Sequence, residues 1–146
     1  MKNIIYFCAL FLLTMQITNA NSNEFTIEML NKRDDGQKMV YSKDIINVEI
    51  NDTIKWVPTS RGHNIEFITV PDGIVKQKKS KVSKEYSYAF EQPGIYLYQC
   101  SPHKSMGMIG LVVVSKDISN IDKIAISKVF GMSKKKLAKL VKEINS

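Results

Sequence analysis

Short segments in which apolar and polar residues alternate, bounded by turn-forming residues, fill the chain from residue 25 to residue 115. Alternation with a period of two places every second side chain on the same face of an extended strand, so each segment predicts a β-strand. The predicted strands are residues 25–30, 46–50, 53–57, 64–68, 85–90, 95–98 and 109–114. The last of these is almost continuously apolar, which predicts a strand buried on both faces. Seven or eight short strands with regular turns predict one all-β domain, a β-sandwich.

The residues after 115 change from the periodicity of strands to that of helices. Apolar residues recur at helical spacing in two stretches, which predict α-helices at about 120–129 and 133–145. Ser133 follows Gly131 and is the predicted cap of the second helix. We interpret the lysines on the polar face of that helix as a solvated surface, with a membrane-surface helix as the alternative. These lysines are Lys134, Lys135, Lys136, Lys139 and Lys142.

The N-terminus has the pattern of a secretory signal peptide. A short positive start is followed by an apolar run at residues 4–15 and then by small residues that end at Ala20. The run is shorter than the roughly 20 apolar residues that a membrane-spanning helix needs. We therefore predict a signal peptide at residues 1–20 and a single exported domain at residues 21–146, located in the periplasm without a membrane anchor. The net charge of +7 favours an anionic partner, and export argues against nucleic acid.

One cysteine, two histidines and a methionine form a compact set of potential metal ligands. Removal of the signal peptide takes away Cys8 and leaves Cys100 as the single cysteine of an exported chain. Cys100, His103 and Met108 share one short loop between two predicted strands, and His63 precedes another strand. Two imidazoles and a thiolate in a plane, with an axial thioether, are the ligands of a blue copper centre. Such a mixture of soft and borderline donors suits both Cu(I) and Cu(II), so the four side chains predict one type 1 copper ion.

These motifs give the chain a resemblance to a known family. On the segments Met29-Leu30-Asn31-Lys32, Gly62-His63-Asn64-Ile65-Glu66 and Cys100-x-Pro102-His103-x-x-Met106-Gly107-Met108-Ile109, it resembles the pseudoazurins, members of the cupredoxin superfamily that includes plastocyanin and amicyanin. The resemblance extends over residues 25–144 and includes the two C-terminal helices. It implies a cupredoxin-like Greek-key β-sandwich of seven to eight strands, with copper bound by His63, Cys100, His103 and Met108. It also implies that the backbone N–H groups of Asn64 and Met106 donate to the Cys100 sulfur and tune the reduction potential.

The function that the resemblance implies is electron transfer, not catalysis. The expected protein is a soluble periplasmic monomer that cycles between Cu(I) and Cu(II). Its expected partners are a reductase such as nitrite reductase, or c-type cytochromes. An apolar patch of Met39, Pro102 and Met106 around His103 would contact the partner, and Lys38 and Lys104 would help to attract an acidic surface. The full set of lysines expected around that patch is Lys32, Lys38, Lys76, Lys78, Lys79, Lys81 and Lys104.

Three other functions use the same residues. A periplasmic copper carrier would bind the ion and pass it on without redox cycling, but such carriers usually offer exposed, exchangeable ligands. A hydrolase would use Cys100 as a nucleophile beside a histidine, but no Asn or Asp is obviously placed to orient the base. A zinc site is chemically possible, although a thioether is a poor zinc ligand.

Overall fold

The computed structural model describes residues 22–146, and the predicted signal peptide lies outside them. Within this range, eight strands and two α-helices follow one another in chain order: β1 Glu24–Lys32, β2 Lys38–Tyr41, β3 Ile45–Val48, β4 Thr53–Val57, β5 Glu66–Thr69, β6 Tyr86–Ala89, β7 Gly94–Gln99, β8 Ile109–Val114, α1 Ile121–Ala125 and α2 Met132–Ile144. A 3-10 turn, Ser101–His103, follows β7. The predicted β-sandwich with two C-terminal helices is confirmed, and β2 is the strand that no predicted segment covers.

The strands form two mixed sheets of four strands each. One sheet has the order β2-β1-β4-β6, and the other has the order β3-β8-β7-β5. The pairs β1–β4 and β3–β8 are parallel, and the remaining pairs are antiparallel. β7 and β8 are antiparallel neighbours at the centre of the second sheet, so the loop that joins them lies at one end of the sandwich.

The core between the sheets is rich in aromatic side chains. Trp56 on β4 packs against Phe67, Phe90 and Tyr98, with ring centroids 5.2–6.5 Å apart. All four of these rings are buried. Tilted and edge-to-face contacts of this kind add to the stabilisation from apolar burial. Cys100 and Met108 belong to the same cluster, so one end of this core reaches the predicted metal ligands.

A second core covers the outer face of β7 and β8. Leu97 and Leu111 pack there with Ile124 of α1 and with Leu137 and Leu140 of α2. Every residue of β7 and β8 is therefore buried. This burial explains why residues 109–114 are continuously apolar, and it confirms the predicted strand with two buried faces.

The C-terminal helices differ from the prediction in three details. α1 ends at Ala125, not near residue 129, because the following turn buries Val129 in the second core. Gly131 occupies the N-cap of α2, while Ser133 lies inside the first turn and its hydroxyl donates to the Lys104 carbonyl oxygen. Lys136 does not lie on a solvated surface. Its side chain is 14% exposed and pairs with Asp44 at 2.7 Å.

Within residues 22–146, neither helix has the length and apolar character needed to cross a membrane.

Asp52 ties the turn between β3 and β4 to the N-terminal end of β1. Its carboxylate accepts hydrogen bonds from the backbone N–H groups of Asn23 and Glu49, both at 2.7 Å, and from the Asn23 side chain. Burial by itself raises the pKa of Asp52, but these hydrogen bonds outweigh it and hold the pKa below its ordinary value. The folded protein therefore favours the ionised carboxylate, which contributes stability at neutral pH.

We expect Asp52→Ala to lower the free energy of unfolding by about 2 kcal/mol at pH 7, because two backbone N–H groups lose a charged acceptor. The pKa of Asp52 is lower in the folded than in the unfolded state. The deficit should therefore be constant well above the ordinary carboxyl pKa of about 3.9 and should shrink as the pH falls through the folded value. Urea unfolding at pH 7 and pH 3 measures both effects. Asp34→Ala, at an exposed carboxylate, is the control, and a deficit at pH 3 equal to that at pH 7 would contradict this account.

Candidate metal centre

The four predicted ligands come from two loops at the same end of the sandwich. His63 lies in the loop that leads into β5, and Cys100 directly follows β7. His103 ends the 3-10 turn, and Met108 directly precedes β8. Because β5 and β7 are hydrogen-bonded neighbours, His63 and Cys100 are brought together although 37 positions separate them in sequence.

Three potential donor atoms face one another at this point. His63 Nδ1 lies 3.1 Å from His103 Nδ1, and Cys100 Sγ lies 3.7 Å from the former and 3.4 Å from the latter. An ion with metal–nitrogen and metal–sulfur bonds of about 2.0–2.3 Å holds three in-plane donors roughly 3.5–3.8 Å apart. The observed triangle is close to those separations, so the donor set and its spacing fit a three-coordinate plane around one metal ion.

His63 is oriented by Asn31, a residue that is not among the predicted site residues. Its Nε2 lies 2.9 Å from the side-chain oxygen of Asn31, which can only accept, so Nε2 carries the proton and Nδ1 presents its lone pair to the other donors. Burial, with a smaller contribution from the nearby His103, lowers the pKa of His63 to about 4. The imidazole is therefore neutral at physiological pH, as a metal ligand must be. Asn31 lies in segment 29–32, which is one of the segments that carry the family resemblance. That resemblance is the sequence signal that could have identified Asn31 as a site residue.

Cys100 is fully buried at the centre of the site. Burial raises the pKa of its thiol, and hydrogen bonds from the backbone N–H groups of Asn64 and His103 oppose that increase. The expectation that the Met106 N–H donates to this sulfur is wrong: the backbone donors to the sulfur are Asn64 and His103, and the Met106 N–H donates to the His103 carbonyl oxygen at 2.9 Å. The chain turns tightly after Cys100, so the amide that faces the sulfur is the one at position 103.

The Asn64 side chain joins the segment that contains His63 to the segment that contains Cys100. Its oxygen accepts from the Ser101 N–H at 2.8 Å, and its nitrogen donates to the Ser101 hydroxyl and to the Ser80 carbonyl oxygen. The Tyr41 hydroxyl donates to the Asn64 carbonyl oxygen from the core side. Since Asn64 follows His63 and Ser101 follows Cys100, these bonds fix the separation of two donors.

Met108 is also fully buried, in the same apolar cluster as Cys100. Its carbonyl oxygen accepts from the Cys100 N–H at 3.0 Å, so the two residues are joined across the mouth of the loop. A thioether in this position is shielded from water, which suits a weak, soft ligand that could not compete with water if it were exposed.

The residues predicted to contact a partner lie outside this buried centre. Pro102, Lys38 and Lys104 are exposed, Met106 is 44% exposed, and Met39 is half-buried. Within the described residues, none of the seven lysines predicted around the patch is close enough to a carboxylate to form an ion pair. All seven of these lysines are exposed.

The burial of Cys100, and not the lack of a residue that orients a histidine, argues against a hydrolase. An asparagine does orient one histidine, since Asn31 is bonded to His63. The Cys100 side chain is nevertheless 0% exposed, so a substrate carbonyl could not approach its sulfur.

Comparisons with known proteins agree with a copper site. A family model described as copper binding proteins, plastocyanin/azurin family, matches residues 27–115. The pseudoazurin of Paracoccus pantotrophus is 40% identical over 98 residues, which cover 66% of each chain. The pseudoazurin of Methylorubrum extorquens is 36% identical over 105 residues, 70% of each chain. The crystal structure of native pseudoazurin from Hyphomicrobium denitrificans superposes with a TM-score of 0.76 at 38% identity, covering 82% of this chain and 97% of that one.

We expect Asn31→Ala to weaken Cu(II) binding by roughly 10- to 100-fold, the usual effect of removing a hydrogen-bond acceptor behind a ligating histidine. Without the acceptor, the His63 ring can rotate or place its proton on Nδ1. Competition against a chelator of known affinity measures the loss. Asn47→Ala, at an exposed position on β3, is the matched control, and equal affinities for the two variants would show that Asn31 does not orient the ligand.

Proposed function

The chain belongs to the plastocyanin/azurin family of copper-binding proteins and, within it, to the pseudoazurins, and on that premise we propose that it carries electrons with one type 1 copper ion held by His63, Cys100, His103 and Met108. The observation that carries the proposal is the convergence of two imidazole nitrogens and one thiol sulfur within 4.8 Å of one another. Bound copper supplies the one-electron chemistry. The side chains of this protein hold the ion in a single arrangement and keep water away from it.

Several contacts support a redox role over copper transport. Cys100, His63 and Met108 are buried, and a hydrogen bond between Asn64 and Ser101 joins the segment that contains His63 to the one that contains Cys100. Ligands that are fixed in this way cannot adapt to each oxidation state, so little has to move when an electron arrives or leaves. A protein that transfers its ion to another protein needs ligands that can be exchanged at the surface. Of His63, Cys100 and His103, only His103 is partly exposed.

The partly exposed edge of His103 is the proposed point of electron exit and entry. Pro102 and Met106 lie beside it in sequence and are exposed, and Met39 is the third apolar member of the proposed contact patch. A small apolar contact of this kind favours a short-lived complex, as an electron carrier requires. Lys38 and Lys104 would attract an acidic surface on the partner and orient it towards this patch.

The proposed location is the periplasm, on the basis of the signal-peptide pattern in residues 1–20. We propose a reductase such as nitrite reductase, or a c-type cytochrome, as the partner. Both are redox proteins to which a small, positively charged carrier can deliver one electron at a time.

The copper-loaded, oxidised protein should be intensely blue and should give reversible voltammetry. Cys100→Ala should abolish the colour, because the thiolate-to-copper charge transfer requires that sulfur. Met132→Leu, which changes an exposed thioether beside the site, is the control and should remain blue. Tight copper binding by the unaltered protein without colour or reversible voltammetry would favour the copper carrier instead.

The charge reversal Lys38→Glu with Lys104→Glu should slow electron transfer to an acidic c-type cytochrome roughly tenfold at low ionic strength. The difference should shrink as salt screens the attraction, and the absorption spectrum should not change. Stopped-flow mixing at several salt concentrations measures the rate. The control is Lys116→Glu with Lys142→Glu, which changes the net charge equally at exposed sites beyond the far end of β8 and in the last turn of α2. Equal slowing by both pairs would show that the net charge matters and the proposed patch does not.

A further inference from the structure

The segment between His103 and Met108 is bound to the N-terminal turn of α2. The Ser133 hydroxyl donates to the Lys104 carbonyl oxygen at 2.7 Å, and the Met132 N–H donates to the Ser105 carbonyl oxygen at 2.8 Å. The Lys104 ammonium also lies 5.1 Å from the centre of the Phe130 ring. Residues 104–107 are called the ligand loop below. They are thus bound to a helix that begins at Met132, 24 positions after Met108.

The ligand loop and the helix complete each other's hydrogen bonding. Inside the loop region, the N–H groups of His103 and Met106 donate to the carbonyl oxygens of Cys100 and His103. The carbonyl oxygens of Lys104 and Ser105 accept from α2. The first N–H groups of a helix have no partner within it, and α2 has no side-chain N-cap. The carbonyl of Ser105 takes over part of that role, so the metal-binding region caps the helix.

Ser133 is an unusual residue on its face of α2. It is fully buried, beside the same surface that Leu137 and Leu140 pack into the second core. A buried hydroxyl is unfavourable unless it is hydrogen-bonded, and the partner of Ser133 is the carbonyl of Lys104. An apolar residue could also be buried at this position of α2, but it would leave the Lys104 carbonyl oxygen without its hydrogen-bond donor.

Gly131 allows the helix to approach so closely. Its φ of 53° lies in the left-handed region, and a Cβ atom at this position would be 2.5 Å from the Ser105 carbonyl oxygen. Any other residue would push the helix terminus and the ligand loop apart. Close packing at this point is therefore a property of the chain and not a chance contact.

α2 is itself fixed to the sandwich, so it can hold the loop in place. Leu137 and Leu140 pack against β8, the strand that Met108 leads into. Lys136 pairs with Asp44 at 2.7 Å, and Asp44 pairs at 3.1 Å with Arg33, the residue that follows β1. The ligand loop is consequently held at one side by β8 and at the other by a helix anchored to that same strand.

We infer that the N-terminal turn of α2, through the Ser133 hydroxyl and the Gly131–Met132 backbone, positions the ligand loop and with it His103 and Met108. Ser133 is a positioning residue, because it acts on the ligands through the Lys104 carbonyl and does not touch the metal. The consequence for the site rests on the proposed ligand roles of His103 and Met108. The contact itself does not, and it can be tested in the metal-free protein.

The first test is hydrogen exchange in the metal-free protein. Ser133→Ala should increase the exchange rates of the Cys100, His103 and Met106 amides roughly two- to tenfold, the factor that one hydrogen bond of ordinary strength represents. The matched control is Ser127→Ala, which removes a helix-proximal hydroxyl bonded to Thr69 and remote from the loop. Gly131→Ala, which drives the loop away sterically, is the second variant and should accelerate the same three amides if Ser133→Ala does not fold.

The second test is the reduction potential of the copper-loaded protein. A looser loop lets the site lower its coordination more easily, which favours Cu(I), so Ser133→Ala should raise the potential. A two- to tenfold greater preference for Cu(I) corresponds to a rise of at most about 59 mV for a one-electron couple. Ser127→Ala should leave the potential unchanged.

The two tests separate this inference from the proposed function. Unchanged loop amides in Ser133→Ala, or equal acceleration in Ser127→Ala, would overturn the inference whatever metal is bound. Faster loop amides with an unchanged potential in a blue protein would overturn the link from the loop to the ligands. A wild-type protein that does not turn blue with copper would overturn the proposed function, while the exchange data would still decide whether α2 holds the loop.

Discussion

The arrangement of the whole molecule depends on holding three donor atoms within bonding distance of one point inside the protein. Burial removes hydration from two imidazoles and a thiol, and it lowers the pKa of His63 to about 4 and raises that of Cys100. Such an arrangement is unfavourable for isolated side chains, so the fold has to impose it. Two hydrogen bonds do this: His63 Nε2–H donates to Asn31 and orients the His63 ring, and the Ser101 N–H donates to Asn64 and holds the chain next to Cys100.

The β-sandwich supplies the rigidity that those bonds require. Cys100 and Met108 continue the two central strands β7 and β8, which are buried on both faces, and His63 leads into the adjacent strand β5. A strand packed on both faces cannot shift without disturbing two cores. The donors therefore inherit their positions from the best-packed part of the protein, and only the short stretch between His103 and Met108 leaves it.

Much of this could be predicted because it follows local rules. Alternation of period two gave the strands, and the apolar run at 109–114 indicated a strand with two buried faces. Of the three contacts that differ from the prediction, those of Lys136 and Ser133 are tertiary and that of Met106 is a local turn. Lys136 looked like a solvated lysine because its helical position is polar, and only the fold brings Asp44 to it. The Met106 amide was assigned to the sulfur by resemblance, whereas the tight turn after Cys100 directs it to the His103 carbonyl. The sequence pattern predicts that Ser133 accepts from a backbone N–H as a helix cap, but the residue lies inside the first turn and its hydroxyl donates to the Lys104 carbonyl oxygen.

The C-terminal helices follow from the same physical requirement as the metal site. Since β7 and β8 are apolar on both faces, an element must cover the outer face, and α1 and α2 do so through Ile124, Leu137 and Leu140. A helix that covers β8 has one terminus near the start of that strand, which is where Met108 and the ligand loop lie. At that terminus the Met132 N–H donates to the Ser105 carbonyl oxygen and the Ser133 hydroxyl donates to the Lys104 carbonyl oxygen. Burial of the sheet and order in the ligand loop are thus coupled, because one helix provides both.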